Sequence, residues 1–469
     1  MRSAFARQSS ELLLLVPLAI LAYANAWSGG FQFDDFSAIL ENPHLADAGT
    51  FIGHLDHMVR PVLYATFLFD RTLYGMNPTG YHLLNLLLHL GSGMLIYFIL
   101  IRAVREKTRQ VPIWTALLFL VHPIHTETVT YISGRASGLM SFFYLLALFF
   151  YIKSSEAREA PTMRGLYQSG AIVAFVLSIG AKETAITFPF VLLLWDLLIH
   201  RVRGGASLRA GILSRHLPFW VVSLLAAAWA WSHPRYSALA HVSYNLRPLV
   251  DNGLSEAHAV IYALWLFFCP WNQNFDHDLP EFHLMSQWPL PFDLLALSVL
   301  IAVAVGMAHR LPPVSFGIGW FLLQLLPTSL IPRADLLSER NLYLASIGLS
   351  LALVVLVATL LARSDEMVKH PSLVRSVGAG IACVLVVELY LMTVQRNTLY
   401  RDQLSLWSDS VKKSPNKARP HNNLGHAYAL HGEWDRAIDE FRIAAQLDSD
   451  YVLAQENLRD AYLHRVGRR

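Results

Sequence analysis

The chain has 469 residues, 54% of them apolar and only 15% charged, and its mean hydropathy is +0.39. That balance is one of an integral membrane protein, not a soluble globular enzyme. A net charge of +3 scattered in short clusters gives no nucleic-acid-binding face, and two cysteines in apolar stretches, Cys269 and Cys383, offer neither a disulfide framework nor a cysteine metal site.

The first apolar run, near residues 11–27, follows Arg2 and Arg7 and ends on Ala24-Asn25-Ala26, the pattern of a cleaved leader. We read it as an uncleaved anchor, because many more spans follow and this helix should brace the loop after it. That loop opens with Asp34 and Asp35, continues through Asn42-Pro43 and Arg60-Pro61, and runs into an amphipathic stretch, Pro61 to Tyr74, suited to the interface. Further runs lie near 81–101, 111–124, 136–152, 168–181, 184–200, 217–232, 256–270, 291–309, 313–330, 342–362 and 376–394.

Lys and Arg are retained on the cytoplasmic side of short loops. With the N-terminus inside, the inner loops carry Arg102, Arg105, Lys107, Arg109, Lys153, Arg158, Arg164, Arg201, Arg203, Arg209 and Arg215, then Arg310, Arg363, Lys369 and Arg375. The outer loops are poorer, by roughly two to one. The bias persists past residue 300 only if one run fails to cross, and the short stretch Ala257 to Pro270 is the candidate. The expected fold is therefore all-α: a polytopic bundle of about eleven crossings with one re-entrant or interfacial segment.

The last 75 residues change to a polar, helix-forming sequence. Leu424, Gly425 and Tyr428, then Ala437, Phe441 and Ala444, match the tetratricopeptide helix-turn-helix. One period of about 34 residues back falls on Trp407 and Pro415, and one period forward on Leu458 and Tyr462. Residues 1–394 are expected to form the membrane domain and 395–469 a short repeat array leaning on it or on a partner.

This topology collects the unusual polar clusters on the outer side. They are Asp34-Asp35, Arg60, His122 with His125 and Glu127, Ser133-Gly134-Arg135, Lys182-Glu183, and Ser338-Glu339-Arg340-Asn341. Cations at three helix ends beside one acidic loop suit an anionic, membrane-borne substrate. Blander readings stand beside this one: the acidic pair as a helix cap, and Arg135, Lys182 and Arg340 as interface-snorkelling residues. His122, His125 and Glu127 have metal-like spacing, but Pro123 breaks the helix that would align them, and no metal or cofactor is expected.

The order Asp34-Asp35, Arg60-Pro61, Gly80-Tyr81-His82-Leu83-Leu84-Asn85, His122-Pro123-Ile124-His125-Thr126-Glu127, Ser133-Gly134-Arg135, Lys182-Glu183-Thr184, Arg340-Asn341-Leu342-Tyr343-Leu344 and Arg396-Asn397 to Trp407 resembles the transmembrane and tetratricopeptide-containing O-mannosyltransferases and their bacterial relatives, over nearly the whole chain. Asn341 departs from the aromatic expected after the Arg, and the repeat array is shorter than in animal members. The resemblance implies a GT-C-type glycosyltransferase moving a sugar from a polyprenyl-phosphate carrier to an acceptor hydroxyl, on protein Ser or Thr or on a glycan, at the periplasmic face of a bacterial inner membrane. A phosphate leaving group needs no acid, so one base suffices, with inversion. Asp34 is the expected base and Asp35 its partner, with the reverse assignment open. Arg135, Lys182 and Arg340 would hold the phosphate, and His122, His125, Glu127, Glu183 and Arg60 would line the sugar or acceptor side. The rival reading is a non-enzymatic scaffold that recruits partners through its repeats. Transport is disfavoured, because the charged motifs sit at span ends rather than at the midplane.

Overall fold

A computed structural model describes residues 15–104, 110–157, 159–200, 208–367 and 371–467. Arg2 and Arg7 of the leader-like pattern, and Arg105, Lys107, Arg109, Arg158, Arg201, Arg203 and Lys369, used above for orientation, lie outside the described residues. Among the described residues there are helices and no strands.

The helices in chain order are α1 (Leu15–Ser28), α2 (Ala48–Gly53), α3 (Pro61–Tyr74), α4 (Pro78–Ala103), α5 (Val111–Val121), α6 (Thr126–Val129), α7 (Arg135–Glu156), α8 (Pro161–Ala181) and α9 (Phe188–Trp195). They continue with α10 (Leu208–Ser232), α11 (Pro234–Leu246), α12 (Leu249–Phe268), α13 (Leu290–Met307), α14 (Pro312–Leu330), α15 (Leu342–Met367) and α16 (Pro371–Asn397). The C-terminal part holds α17 (Gln403–Lys413), α18 (Ala418–Leu430), α19 (Trp434–Leu447) and α20 (Val452–Gly467). Proline opens α3, α4, α8, α11, α14 and α16, where its missing N–H costs nothing and its fixed φ suits the first turn.

Among the described residues each apolar run of the sequence coincides with a helix. Among the described residues seven helical segments are long and apolar enough to cross a membrane, against the eleven expected: Pro78–Ala103, Ile132–Glu156, Glu183–His200, Leu290–Met307, Pro312–Leu330, Glu339–Ser364 and Pro371–Tyr400. The other runs form the shorter apolar helices α1 and α5 and the more mixed α8, α10 and α12. The stretch 257–270 is not a separate element. Residues 257–268 are the second half of α12, a continuous 20-residue helix packed on α13 and α14, and Pro270 opens the short 3-10 turn that follows it. Its buried face carries Asn252, Ser255 and Glu256, and this polar face is what keeps the window from reading as a plain span.

The main core runs through α1, α4, α5, α7, α8, α9, α14 and α15. At one end of the bundle the loops 29–60, 122–134, 269–289 and 331–341 meet. Helices α17 to α20 stack in succession, each on the next. Gly425 gives Phe441 its seat, since a Cβ there would collide with the ring. The array is joined to the loops by ion pairs: Arg419 bridges Asp276 (2.6 and 2.5 Å) and Asp335 (2.6 Å), and Lys417 reaches the same two carboxylates at 2.6 and 3.0 Å.

Candidate active site

The two adjacent acidic residues face opposite ways. Asp35 is fully buried, and its carboxylate accepts the Gln32 amide (2.8 Å), the Ser133 amide (2.8 Å) and the Ser133 hydroxyl. Burial pushes its carboxyl up to about 7, against the lowering effect of those hydrogen bonds, with the Asp34 charge adding a little. Asp35 thus ties the first loop to the Ser133-Gly134 turn. Asp34 has a 43% exposed side chain, donates its amide to the Tyr131 hydroxyl (2.9 Å), and pairs with Arg340 at 3.6 Å.

Arg340 is aimed from the other side by Glu127. That carboxylate is buried, accepts the Arg340 amide (2.9 Å) and the Ser338 hydroxyl (3.1 Å), and stands 3.5 Å from the guanidinium. Burial raises its pKa more than Arg340 lowers it. Gly134 packs on this segment, where any Cβ would strike the Glu127 carbonyl oxygen. Glu127 therefore positions a cation and does not line an open face.

Lys182, at the end of α8, is buried, and its ammonium donates to Ser137 Oγ and Asn341 Oδ1, each at 2.8 Å. Burial and the nearby Arg60, Arg340 and Arg333 hold its pKa well below the usual lysine range. Asn341, where an aromatic residue was expected, is one of its two anchors. A small cavity opens beside these groups, lined by Met140, Lys182, Thr184, Gln324, Thr328, Arg340, Asn341 and Leu344. At its edge Glu183 takes Arg60 in a two-point pair at 3.0 and 2.7 Å.

The structure thus brings Asp34, Lys182 and Arg340 together, with Arg60, Glu183 and Glu127 around them, and separates three other expected residues. Arg135 is fully buried. It pairs with Asp70 at 2.6 Å and donates to Asn85 (2.7 Å), the Tyr81 carbonyl (2.9 Å) and Thr66 (3.2 Å), which leaves it no access to a phosphate. His122 and His125 are buried too, and face helices rather than the cavity. His122 Nε2 meets the Phe267 carbonyl (2.9 Å), its Nδ1 accepts the Ile124 amide (3.1 Å), and burial holds it neutral by lowering its pKa to about 4. His125 lies among the rings of Phe119, Tyr343 and His89. Among the described residues no group of three or more His, Cys, Asp or Glu side chains is arranged to hold a metal.

Against curated proteins, the chain is 26% identical to the Drosophila melanogaster protein O-mannosyl-transferase Tmtc3, over 96% of this chain and 56% of the relative. It is 27% identical to human TMTC4, over 91% and 65%, and 25% identical to human TMTC1, over 95% and 56%. The chain is a relative of the protein O-mannosyl-transferases. It spans between about half and two thirds of the length of these O-mannosyl-transferase relatives. No protein-family model matches it. Among solved structures, the Archaeoglobus fulgidus oligosaccharyltransferase tethered with an acceptor peptide aligns with a TM-score of 0.44 and 10% identity, over 91% of this chain and 58% of that one.

Sequence reasoning passed over Arg333, Gln324, Thr328 and Ser137. The loop cation Arg333 is half-buried, and the charges of Glu183, Arg340, Arg60 and Glu256 act on it. A second arginine seven residues before Arg340, next to a proline, was the available signal. Gln324 and Thr328 sit one helical turn apart on α14, polar residues on the buried side of an apolar run.

Proposed function

We propose that the chain is a membrane glycosyltransferase of GT-C type. It moves a sugar, mannose by analogy with the names of its relatives, from a polyprenyl-phosphate carrier to an acceptor hydroxyl of protein Ser or Thr, with inversion at the anomeric carbon. The observation that carries this reading is the half-exposed Asp34 carboxylate paired with Arg340, which lines a cavity together with Lys182.

Asp34 accepts the proton of the acceptor hydroxyl as that oxygen attacks the anomeric carbon, and the carrier phosphate leaves from the opposite face. Negative charge grows on the leaving oxygen, and Arg340, Lys182 and Arg333 stabilise it. The like charges of these cations repel one another in the empty site, and an anion relieves that repulsion. Arg60, clamped by Glu183, closes the cluster near the acceptor side. Asp35 and Glu127 hold the base and the main cation in place without touching substrate.

The loop Lys and Arg bias supports a cytoplasmic N-terminus, with the site and the C-terminal array on the periplasmic side of a bacterial inner membrane. The array is read as tetratricopeptide repeats that dock the protein acceptor. The test is transfer in reconstituted liposomes, from a synthetic short-chain polyprenyl-phosphate mannose to Ser/Thr peptides, read as a hexose mass increase. Wild type transfers, and Asp34→Asn loses about 10²- to 10⁴-fold in rate. A correctly inserted Asp34→Asn protein with wild-type rate refutes Asp34 as the base.

A further inference from the structure

The segment that carries Asp34 is held by the far end of the chain. The Gly30 amide donates to the Arg401 carbonyl at 3.1 Å, and Gln32 Nε2 to the Tyr400 carbonyl at 3.3 Å. The Phe33 ring stands edge-on against Trp407 and Phe275, with centroids 5.4 and 5.9 Å apart. Trp407 is buried on α17, the first helix of the C-terminal array. Phe275 also meets Trp407 (5.3 Å) and Tyr131 (5.3 Å), the residue whose hydroxyl takes the Asp34 amide.

Phe33 has a φ of +39°, the one positive value among the described non-glycine residues. A bulky side chain seldom adopts that conformation, and it persists only where the surroundings over-determine it. Here it lies directly before the acidic pair, where the chain must send Asp35 inward to Ser133 and Asp34 outward to Arg340.

We propose that Trp407 is a positioning residue of the transfer reaction: its indole clamps Phe33 in the left-handed conformation and so fixes the direction of the Asp34 carboxylate. The C-terminal array is then part of the catalytic unit as well as a docking surface. This rests on the reading of Asp34 as the base. The cations are held by other contacts, Lys182 by Ser137 and Asn341 and Arg340 by Glu127, so loss of the clamp acts on turnover and not on donor binding.

The test uses the full chain in lipid nanodiscs, with hydrogen exchange followed in peptides covering 29–41 and 418–447, beside transfer from synthetic short-chain polyprenyl-phosphate mannose. Trp407→Ala is expected to speed exchange at 32–36 about tenfold. It is also expected to lower kcat about tenfold, with the donor KM within about twofold of wild type. Trp407→Phe restores both. Phe33→Leu removes the ring from the loop side, leaves the array folded, and is expected to reproduce the Trp407→Ala effects. If exchange at 32–36 is unchanged in Phe33→Leu, the clamp is refuted whatever the turnover. If the loop loosens in both variants while kcat holds, the clamp exists but has no catalytic role, and the proposal fails. Full activity in Asp34→Asn sinks the underlying reading instead, and the exchange data keep that outcome separate.

Discussion

Asp34 faces Arg340, itself a lining residue of the cavity, across 3.6 Å, while its neighbour Asp35 is buried on Ser133. Two carboxylates adjacent in sequence therefore have different work. Asp34→Asn should lower the transfer rate about 10²- to 10⁴-fold with the fold intact, because a half-exposed ion pair contributes no more than about 1 kcal/mol. Asp35→Asn should destabilise by about 1–3 kcal/mol, because its amide NH₂ must face either the Gln32 or the Ser133 donor and leaves it unpaired. Thermal unfolding of both variants beside the transfer assay separates the two roles.

Asp35 also sets a pH dependence. Its folded pKa, about 7, lies above the unfolded value of about 3.9, so folding favours the protonated form. The associated stability is present in full below about pH 4 and is lost as pH rises through about 7. The wild-type unfolding midpoint should rise on going from about pH 8 to about pH 6, and Asp35→Asn should lack that part of the rise. Equal pH profiles for the two proteins would show that Asp35 is ionised throughout.

The bundle was legible because runs of Leu, Val, Ile and Phe have few other uses, and the acidic loop was legible because Asp34-Asp35 stands beside such a run. Which of the pair faces Arg340 was not, since that depends on a backbone turn at Phe33 held by Trp407 and Phe275. Arg135 was misjudged because its partner, Asp70, is 65 positions earlier on α3. A single acid in the amphipathic stretch Pro61 to Tyr74 was the overlooked sign. His122 and His125 follow the apolar α5, and their burial continues that helix's inner face.

The pairing of Arg135 with Asp70, both side chains almost wholly buried, gives a third prediction. Removing either charge leaves the other unpaired in the interior, at a cost of about 3–5 kcal/mol. Arg135→Met or Asp70→Leu alone should lower the unfolding midpoint and the yield of inserted protein. The double variant should recover most of the loss, since an apolar pair has no desolvation cost to meet. Arg135→Met with full stability and a raised donor KM would return Arg135 to the phosphate site.

Docking of the array depends on Asp276, which is buried and met by both Lys417 and Arg419. Asp276→Ala leaves Lys417 and Arg419 to share Asp335 alone, and the loss should be about 1–3 kcal/mol, below that of a fully buried pair. Hydrogen exchange should rise at the α17–α18 junction, while the membrane helices α4 and α7 keep their protection. Exchange that rises through the whole chain would mean that the array and the bundle unfold as one unit.

Arg333 makes no hydrogen bond or ion pair through its guanidinium among the described residues, yet it stands half-buried near Arg60 and Arg340 and adds to the positive field at Lys182. Such an arrangement costs free energy unless an anion enters, so removing one cation should help the empty protein and harm the bound one. Arg333→Gln is expected to leave the unfolding midpoint unchanged or slightly higher, and to raise the donor KM about tenfold, the loss of one charge-assisted phosphate contact. A short-chain polyprenyl monophosphate should raise the wild-type midpoint in proportion to its occupancy, and raise that of Arg333→Gln less at equal concentration. Lys182→Gln should lose more of this shift, because Lys182 lines the cavity itself. Equal shifts in all three proteins would place the phosphate elsewhere.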